Sequence, residues 1–146
     1  MKALIQVVNE ARVTADGEEL GSIGRGLTVF LGVCDGDGRE DAEYLADKLV
    51  QLRIMQDDQG KMNLSVEDVN GELLVISQFT LCGKISSGRR PSFSHAAAYA
   101  DAKDLYEYFL DYLAENTILT VETGEFGAYM DVELTNDGPV TFMLEA

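Results

Sequence analysis

The chain opens on an alternation of apolar and polar positions, KALIQVVN at 2–9, and a second short stretch follows at 11–15. Both have the two-residue period of strands, and Asp16-Gly17 supplies the positive φ of a tight hairpin, so a β-meander is expected to begin the fold. A glycine-punctuated stretch, Gly21 to Gly26, leads into an almost continuous apolar run at 27–33, the pattern of a strand buried on both faces. Phosphate-cradling glycines follow a strand and open a helix, whereas these precede a strand and read as turns. Ala42, Leu45, Ala46, Leu49 and Leu52 recur at helical spacing behind Asp37 and Glu40, which resemble a capping pair, and predict a helix over 39–53. Asn70-Gly71 is a hairpin signal before a strand at 72–80. Leu105, Phe109, Tyr112 and Leu113 mark the buried stripe of a second helix at 96–115, and strands near 118–122, 129–136 and 139–145 follow. With no regular βαβ repeat, the order predicts an α+β fold: one domain over 1–146, with mixed or antiparallel sheets and two helices packed on one side.

Composition narrows the function. With 146 residues the chain is expected to carry one domain and one site. No apolar run reaches the roughly 18 residues of a membrane span, and the first residues show neither the apolar core nor the cleavage site of a signal peptide. Cys34 and Cys82 are far apart and lack C-x-x-C spacing, so both are expected to be free thiols in a reducing, cytoplasmic compartment. With one histidine, His95, and no acidic loop of calcium-binding type, the expectation is chemistry without metal or cofactor. The formal charge is −15, and ten Asp and Glu but no Lys or Arg lie in 104–146. That sign argues against a nucleic-acid partner on composition alone, because phosphate contacts need cations. Lys84, Arg89 and Arg90 form the one positive cluster, in a loop containing Gly and Ser.

Two stretches invite chemistry. Ser77, Gln78, Phe79, Thr80 and Leu81 stand where an apolar strand runs into a polar loop, a place from which side chains and backbone N–H groups reach a ligand on rigid support. The Ser77 and Thr80 hydroxyls are nucleophile candidates, but they also suit a strand end that satisfies local backbone. A hydroxyl nucleophile needs a base. His95, the only imidazole, falls at the expected start of a helix, and the chain has no G-x-S-x-G elbow, so a Ser-His-Asp hydrolase is not expected. The second stretch is Asn136-Asp137-Gly138-Pro139-Val140-Thr141, a set of turn formers with Pro139 at the head of an otherwise good strand. An X-Pro bond is where a cis peptide is tolerated, and a cis Gly-Pro turn would present both carbonyls the same way as a rigid steric and polar gauge.

Together, SQFTL at 77–81 and NDGPVT at 136–141 resemble the two signature motifs of the D-aminoacyl-tRNA deacylase family, also called D-tyrosyl-tRNA deacylase. The resemblance covers essentially the whole chain, through a start similar to M-x-A-x-x-Q-x-V, then GSIGRGLTVFLGV, KMNLS, GRRPSF at 88–93 and ETGEFGAYM at 122–130. It implies a homodimeric editing hydrolase that cleaves the ester of D-aminoacyl-tRNA and of mischarged glycyl-tRNA. Gly138 and Pro139, cis in the family, would enter the partner's site and exclude L side chains. Ser77, Gln78, Phe79 and Thr80 would line the pocket for the terminal adenosine and scissile ester, with Phe126 and Met130 near the adenine. Arg89 and Arg90 would meet the 3′ end of the tRNA. The resemblance further implies hydrolysis by water assisted by the ribose 2′-hydroxyl, with Thr80 positioning rather than attacking. Val7 departs from the family's usual Arg, and Cys82 to Ser87 from its more charged loop. Two rival readings are a small-molecule esterase using Thr80 or Ser77 and a non-catalytic dimeric binding protein.

Overall fold

The structure is a computed structural model that describes residues 1–86 and 88–146. In chain order it contains β1 (Lys2–Ala15), β2 (Glu18–Ile23), β3 (Gly26–Gly32), α1 (Arg39–Gln51), β4 (Met55–Gln56), β5 (Met62–Leu64), β6 (Glu72–Ser77), a 3-10 turn (Phe79–Cys82), α2 (Tyr99–Asn116), β7 (Val121–Thr123) and β8 (Asp131–Glu145). The main sheet is mixed. β1 is antiparallel to β3 from Lys2↔Gly32 to Val8↔Gly26, then to β2 from Ala11↔Ile23 to Ala15↔Glu18, while β8 runs antiparallel along its other edge. β3–β6 and β6–β7 are parallel. Gly26 permits the close approach of β3 to β6, since a Cβ there would lie 1.9 Å from the Glu72 carbonyl oxygen.

The core follows from strand alternation. Ala3, Ile5 and Val7 of β1 and Leu27, Val29 and Leu31 of β3 pack against Leu45 and Leu49 of α1 and Phe109 and Leu113 of α2. Both helices therefore cover one face, as the apolar periodicity predicts. On the opposite face a smaller cluster joins Val8, Ala11, Val13, Ile23, Leu74 and Ile76. Val8 faces this side by simple alternation from Val7, and the odd-numbered Ala11 and Val13 join it because the β1–β8 register breaks again between Val8 and Glu10. The helices are laced together at the surface by Tyr108 donating to Glu43, Tyr112 donating to Asp47, and Arg39 stacked 4.6 Å from the Tyr108 ring centre.

Several local expectations are corrected. The strands at 2–9 and 11–15 are one bulged strand, and those at 129–136 and 139–145 are likewise one, β8, because pairing resumes beyond each irregularity. Asp16-Gly17 does close a two-residue hairpin, with φ of 51° and 82°. Asn70-Gly71 does not, since β6 after it runs parallel to β3; Asn70 takes a φ of 48° merely to turn the chain. α1 is capped from Asp41, whose carboxylate accepts the Gly38 N–H at 2.7 Å, while Asp37 accepts the Cys34 N–H and pairs with the Met1 ammonium. The strand predicted to reach residue 80 stops at Ser77, and His95 lies ahead of α2 rather than in its first turn. Ser87, at the end of the loop that departs from the family's pattern, lies outside the described residues.

The largest correction concerns the cysteines. Cys34 and Cys82 are not free thiols but a disulfide, with Cα atoms 5.6 Å apart. Sequence spacing could not expose this, because the two meet only after parallel β3–β6 pairing sets the chain beyond each strand side by side. The bond closes a 48-residue separation, which on chain-entropy grounds stabilises the fold by about 2–4 kcal/mol. Denaturant unfolding without reductant should therefore show Cys82→Ser less stable by that amount, and dithiothreitol should bring wild type to the same level. Alkylation of both thiols in native protein purified without reductant would contradict the cross-link.

Candidate active site

The SQFTL stretch is held out by the most buried part of the sheet. β6 lies between β3 and β7, and Gln78 N–H donates to the Leu31 carbonyl at 2.7 Å, extending the pairing one residue past the strand. The chain then tightens into the 3-10 turn, with Leu81 N–H donating to Gln78 O and Gly83 N–H to Thr80 O. A turn of this kind leaves its first N–H groups, those of Phe79 and Thr80, without an acceptor inside the turn. Gly32 lets β3 approach it, because a Cβ there would sit 2.8 Å from Gln78 O. The disulfide anchors the far end of the turn. Gln78 Nε2 donates to the Thr80 hydroxyl, and the exposed Phe79 ring packs 5.0 Å from that of Phe93.

Beside this turn lies a cleft of about 590 Å³. Leu31, Val33 and Ile76 floor it, Ser77, Gln78 and Phe79 form one rim, and Phe126, Ala128 and Met130 the other. The Phe126 ring packs edge-on against Tyr99 at 5.3 Å and tilted against Tyr106 at 5.4 Å. Tyr106 donates its hydroxyl to Val75 O at 2.9 Å, and burial pushes its phenol well above the usual tyrosine range, so it stays a neutral strut. The segment 124–130 folds tightly against this wall: Gly127 has a φ of 82°, and a Cβ on Gly124 would lie 2.5 Å from Met130 Sδ. No Asp, Glu, Lys, Arg or His is among the lining residues. Among the described residues, no group of three or more His, Cys, Asp or Glu side chains is arranged to hold a metal ion, and no helix is long and apolar enough to cross a membrane.

The fold thus brings Ser77, Gln78, Phe79, Phe126 and Met130 to one cavity from sequence positions far apart. Thr80 reaches the cavity only through Gln78. Arg89 and Arg90 stand exposed on the loop beyond the 3-10 turn. Gly138 and Pro139, joined by a cis peptide, sit on a protrusion of edge strand β8 and do not line this cleft. Sequence reasoning missed Tyr99, Gly127 and Tyr129, which also line it; the available signal was the pair of glycines, Gly124 and Gly127, within ETGEFGAYM.

The site agrees with what the chain resembles. The sequence model of D-Tyr-tRNA(Tyr) deacylase matches residues 4–145. A D-aminoacyl-tRNA deacylase of Natranaerobius thermophilus is 51% identical over 146 residues, covering 100% of this chain and 97% of the relative. The D-aminoacyl-tRNA deacylase of Geotalea daltonii is 57% identical over 145 residues, covering 99% of this chain and 96% of the relative. Among solved structures, a c-Myc DNA unwinding element binding protein superposes with a TM-score of 0.95 at 40% identity, covering 100% of this chain and 99% of its own. A probable eukaryotic D-amino acid tRNA deacylase shares the fold, with a TM-score of 0.83 at 18% identity and coverage of 99% and 98%. Near-complete matches in sequence and in fold, on a chain that gathers the SQFTL motif at a cleft, establish that it belongs to the D-aminoacyl-tRNA deacylase family, hydrolases that act on D-aminoacyl-tRNA.

Proposed function

We propose that the cleft beside the 3-10 turn receives the aminoacylated 3′ end of tRNA and hydrolyses its ester by positioning, with no protein nucleophile and no metal. The observation that carries this reading is a lining that contains amides and hydroxyls but no carboxylate, imidazole or amine side chain. The terminal adenine stacks on Phe126 and Met130, and the ester lies along Ser77, Gln78 and Phe79, near the unengaged N–H groups of Phe79 and Thr80. Water, assisted by the ribose 2′-hydroxyl, attacks the ester carbonyl; the bond from that carbon to the ribose oxygen breaks, leaving free amino acid and tRNA. Preorganised N–H dipoles stabilise the charge that grows on the carbonyl oxygen. A Thr80 or Ser77 esterase is less well supported, because a hydroxyl nucleophile needs a base and no carboxylate, imidazole or amine lines the cleft.

The same reading takes the molecule as a homodimer. β8 is an edge strand of 15 residues whose outer positions include the exposed Phe142 and Met143, an edge that calls for cover. In the dimer, Gly138 and Pro139 reach the partner's cleft and reject L side chains, while glycine, having none, passes. Arg89 and Arg90 meet phosphates at the 3′ end, and the net charge of −15 confines contact to that region. It also disfavours duplex binding of the kind suggested by the name of the DNA unwinding element relative. The place of action is the cytoplasm on the ground of the substrate alone, since charged tRNA is used there and the Cys34–Cys82 disulfide removes the free thiols as an argument for it.

Exhaustive chelation with EDTA should leave the deacylation rate unchanged; a loss restored by a divalent ion would overturn metal-free hydrolysis. Thr80→Ala should lower kcat/KM by on the order of tenfold to a hundredfold, the loss of one positioning contact, whereas an obligatory nucleophile would cost many orders of magnitude. Trapping an aminoacyl-Thr80 species in a rapid quench would reverse that assignment. Gly138 has a φ of 114°, and a Cβ there would meet Val140 Cγ2 at 2.6 Å, so Gly138→Ala must displace the turn. The ratio of D- to L-tyrosyl-tRNA hydrolysis should change by about tenfold. An unaltered ratio and rate would show that the turn does not select chirality.

A further inference from the structure

Strand β8 leaves its partner once. Pairing with β1 runs from Lys2↔Glu145 to Gln6↔Thr141 and resumes at Val8↔Asn136, so residues 137–140 stand opposite Val7 alone and project from the ladder. Such a protrusion has two loose ends at its neck, and unsupported backbone there samples many positions. The Asn136 carboxamide spans that neck. Its Nδ2 donates to Val7 O at 2.8 Å and to Val140 O at 3.0 Å, tying one end of the protrusion to β1 and to its other end. The Thr141 hydroxyl donates to Asn136 Oδ1 at 3.4 Å and accepts from Gln6 Nε2 at 3.2 Å. Both amide N–H groups and the amide oxygen are therefore engaged, which fixes the direction the carboxamide faces. The Val7 side chain is only 4% exposed within the core, so at this point β1 supplies a carbonyl to the brace and not a side chain.

We propose that Asn136 is a positioning residue for substrate chirality, its amide oriented by Thr141 and Gln6 so that Gly138 and Pro139 project at a fixed height and angle. The inference rests on the reading above in which that turn is the chirality gauge. A steric gauge must be placed closely, since a shift of about 1 Å changes a rate by on the order of a hundredfold. Asn136 is the side chain at the neck that bonds main-chain carbonyls on both β1 and the far end of the protrusion, while the Gln6 and Thr141 side chains act on its orientation.

Asn136→Asp tests this with almost no change of shape. It replaces a nitrogen that donates twice by a carboxylate oxygen facing two carbonyl oxygens, so two bonds become two repulsions. The D-to-L ratio of kcat/KM on tyrosyl-tRNA should fall by about tenfold, because the displaced turn no longer excludes the L side chain. Thr141→Val should lower the ratio by about threefold, and Thr141→Ser, which keeps the hydroxyl, should retain it. A merely structural role would reduce the amount of folded enzyme and scale both substrates alike; a ratio unchanged in folded Asn136→Asp enzyme overturns the proposal. If Gly138→Ala moves the ratio and Asn136→Asp does not, the brace is wrong and the gauge stands. If neither moves it, the gauge itself fails and the brace with it. Should Asn136→Asp not fold, equal ratios in Thr141→Val and Thr141→Ser overturn the brace.

Discussion

Strand β1 is paired along both edges, with β3 and then β2 on one side and β8 on the other. Its alternation sends Ala3, Ile5 and Val7 under the two helices and fixes the register of both neighbours at once. Through β3 that register passes to β6 and so to the end of the strand where Ser77 and Gln78 emerge. Through β8 it decides where the NDGPVT stretch interrupts the ladder opposite Val7. A one-residue slip in β1 would turn the core residues outward and displace both motifs together.

The chemistry proposed for this scaffold depends on rigidity rather than on a reactive side chain. The 3-10 turn is anchored by a strand hydrogen bond at one end and by the Cys34–Cys82 bond at the other, so its leading N–H groups cannot drift. Phe126 is fixed by Tyr99 and by a buried Tyr106 that is itself bonded to β6. On the proposed mechanism the substrate brings the assisting hydroxyl, and the protein supplies shape, dipoles and a site sheltered from bulk water. Such a site makes no demand for a shifted acid or base, in keeping with a lining that has no carboxylate, imidazole or amine.

Much of this was legible in the sequence, for physical reasons that differ by residue. Leu45, Leu49, Phe109 and Leu113 announced the helices because each faces one core and the apolar period survives folding intact. SQFTL was visible as polar residues where an apolar strand ends and NDGPVT as a proline heading a strand, but both also suit ordinary turns, and only the resemblance joined them into a site. What stayed hidden was nonlocal or a matter of pairing. Asn70-Gly71 carries the local signature of a hairpin, but parallel pairing of β6 with β3 overrides it. Cys34 and Cys82 become neighbours only through that same pairing, and the bonds of Asn136 reach Val7 across 129 positions of sequence.

The central claim is hydrolysis of D-aminoacyl-tRNA ester in a cleft that relies on the RNA for assistance. Its most direct measurement is the initial rate at which the purified protein releases amino acid from tRNA charged with D-tyrosine, with L-tyrosine, and with D-tyrosine on tRNA whose terminal ribose lacks the 2′-hydroxyl. Rapid release is expected from the first, little from the second and a large loss with the third. Equal release from the first and third substrates would contradict RNA assistance, and equal release from D- and L-tyrosyl-tRNA would contradict the chiral editing assigned to this chain.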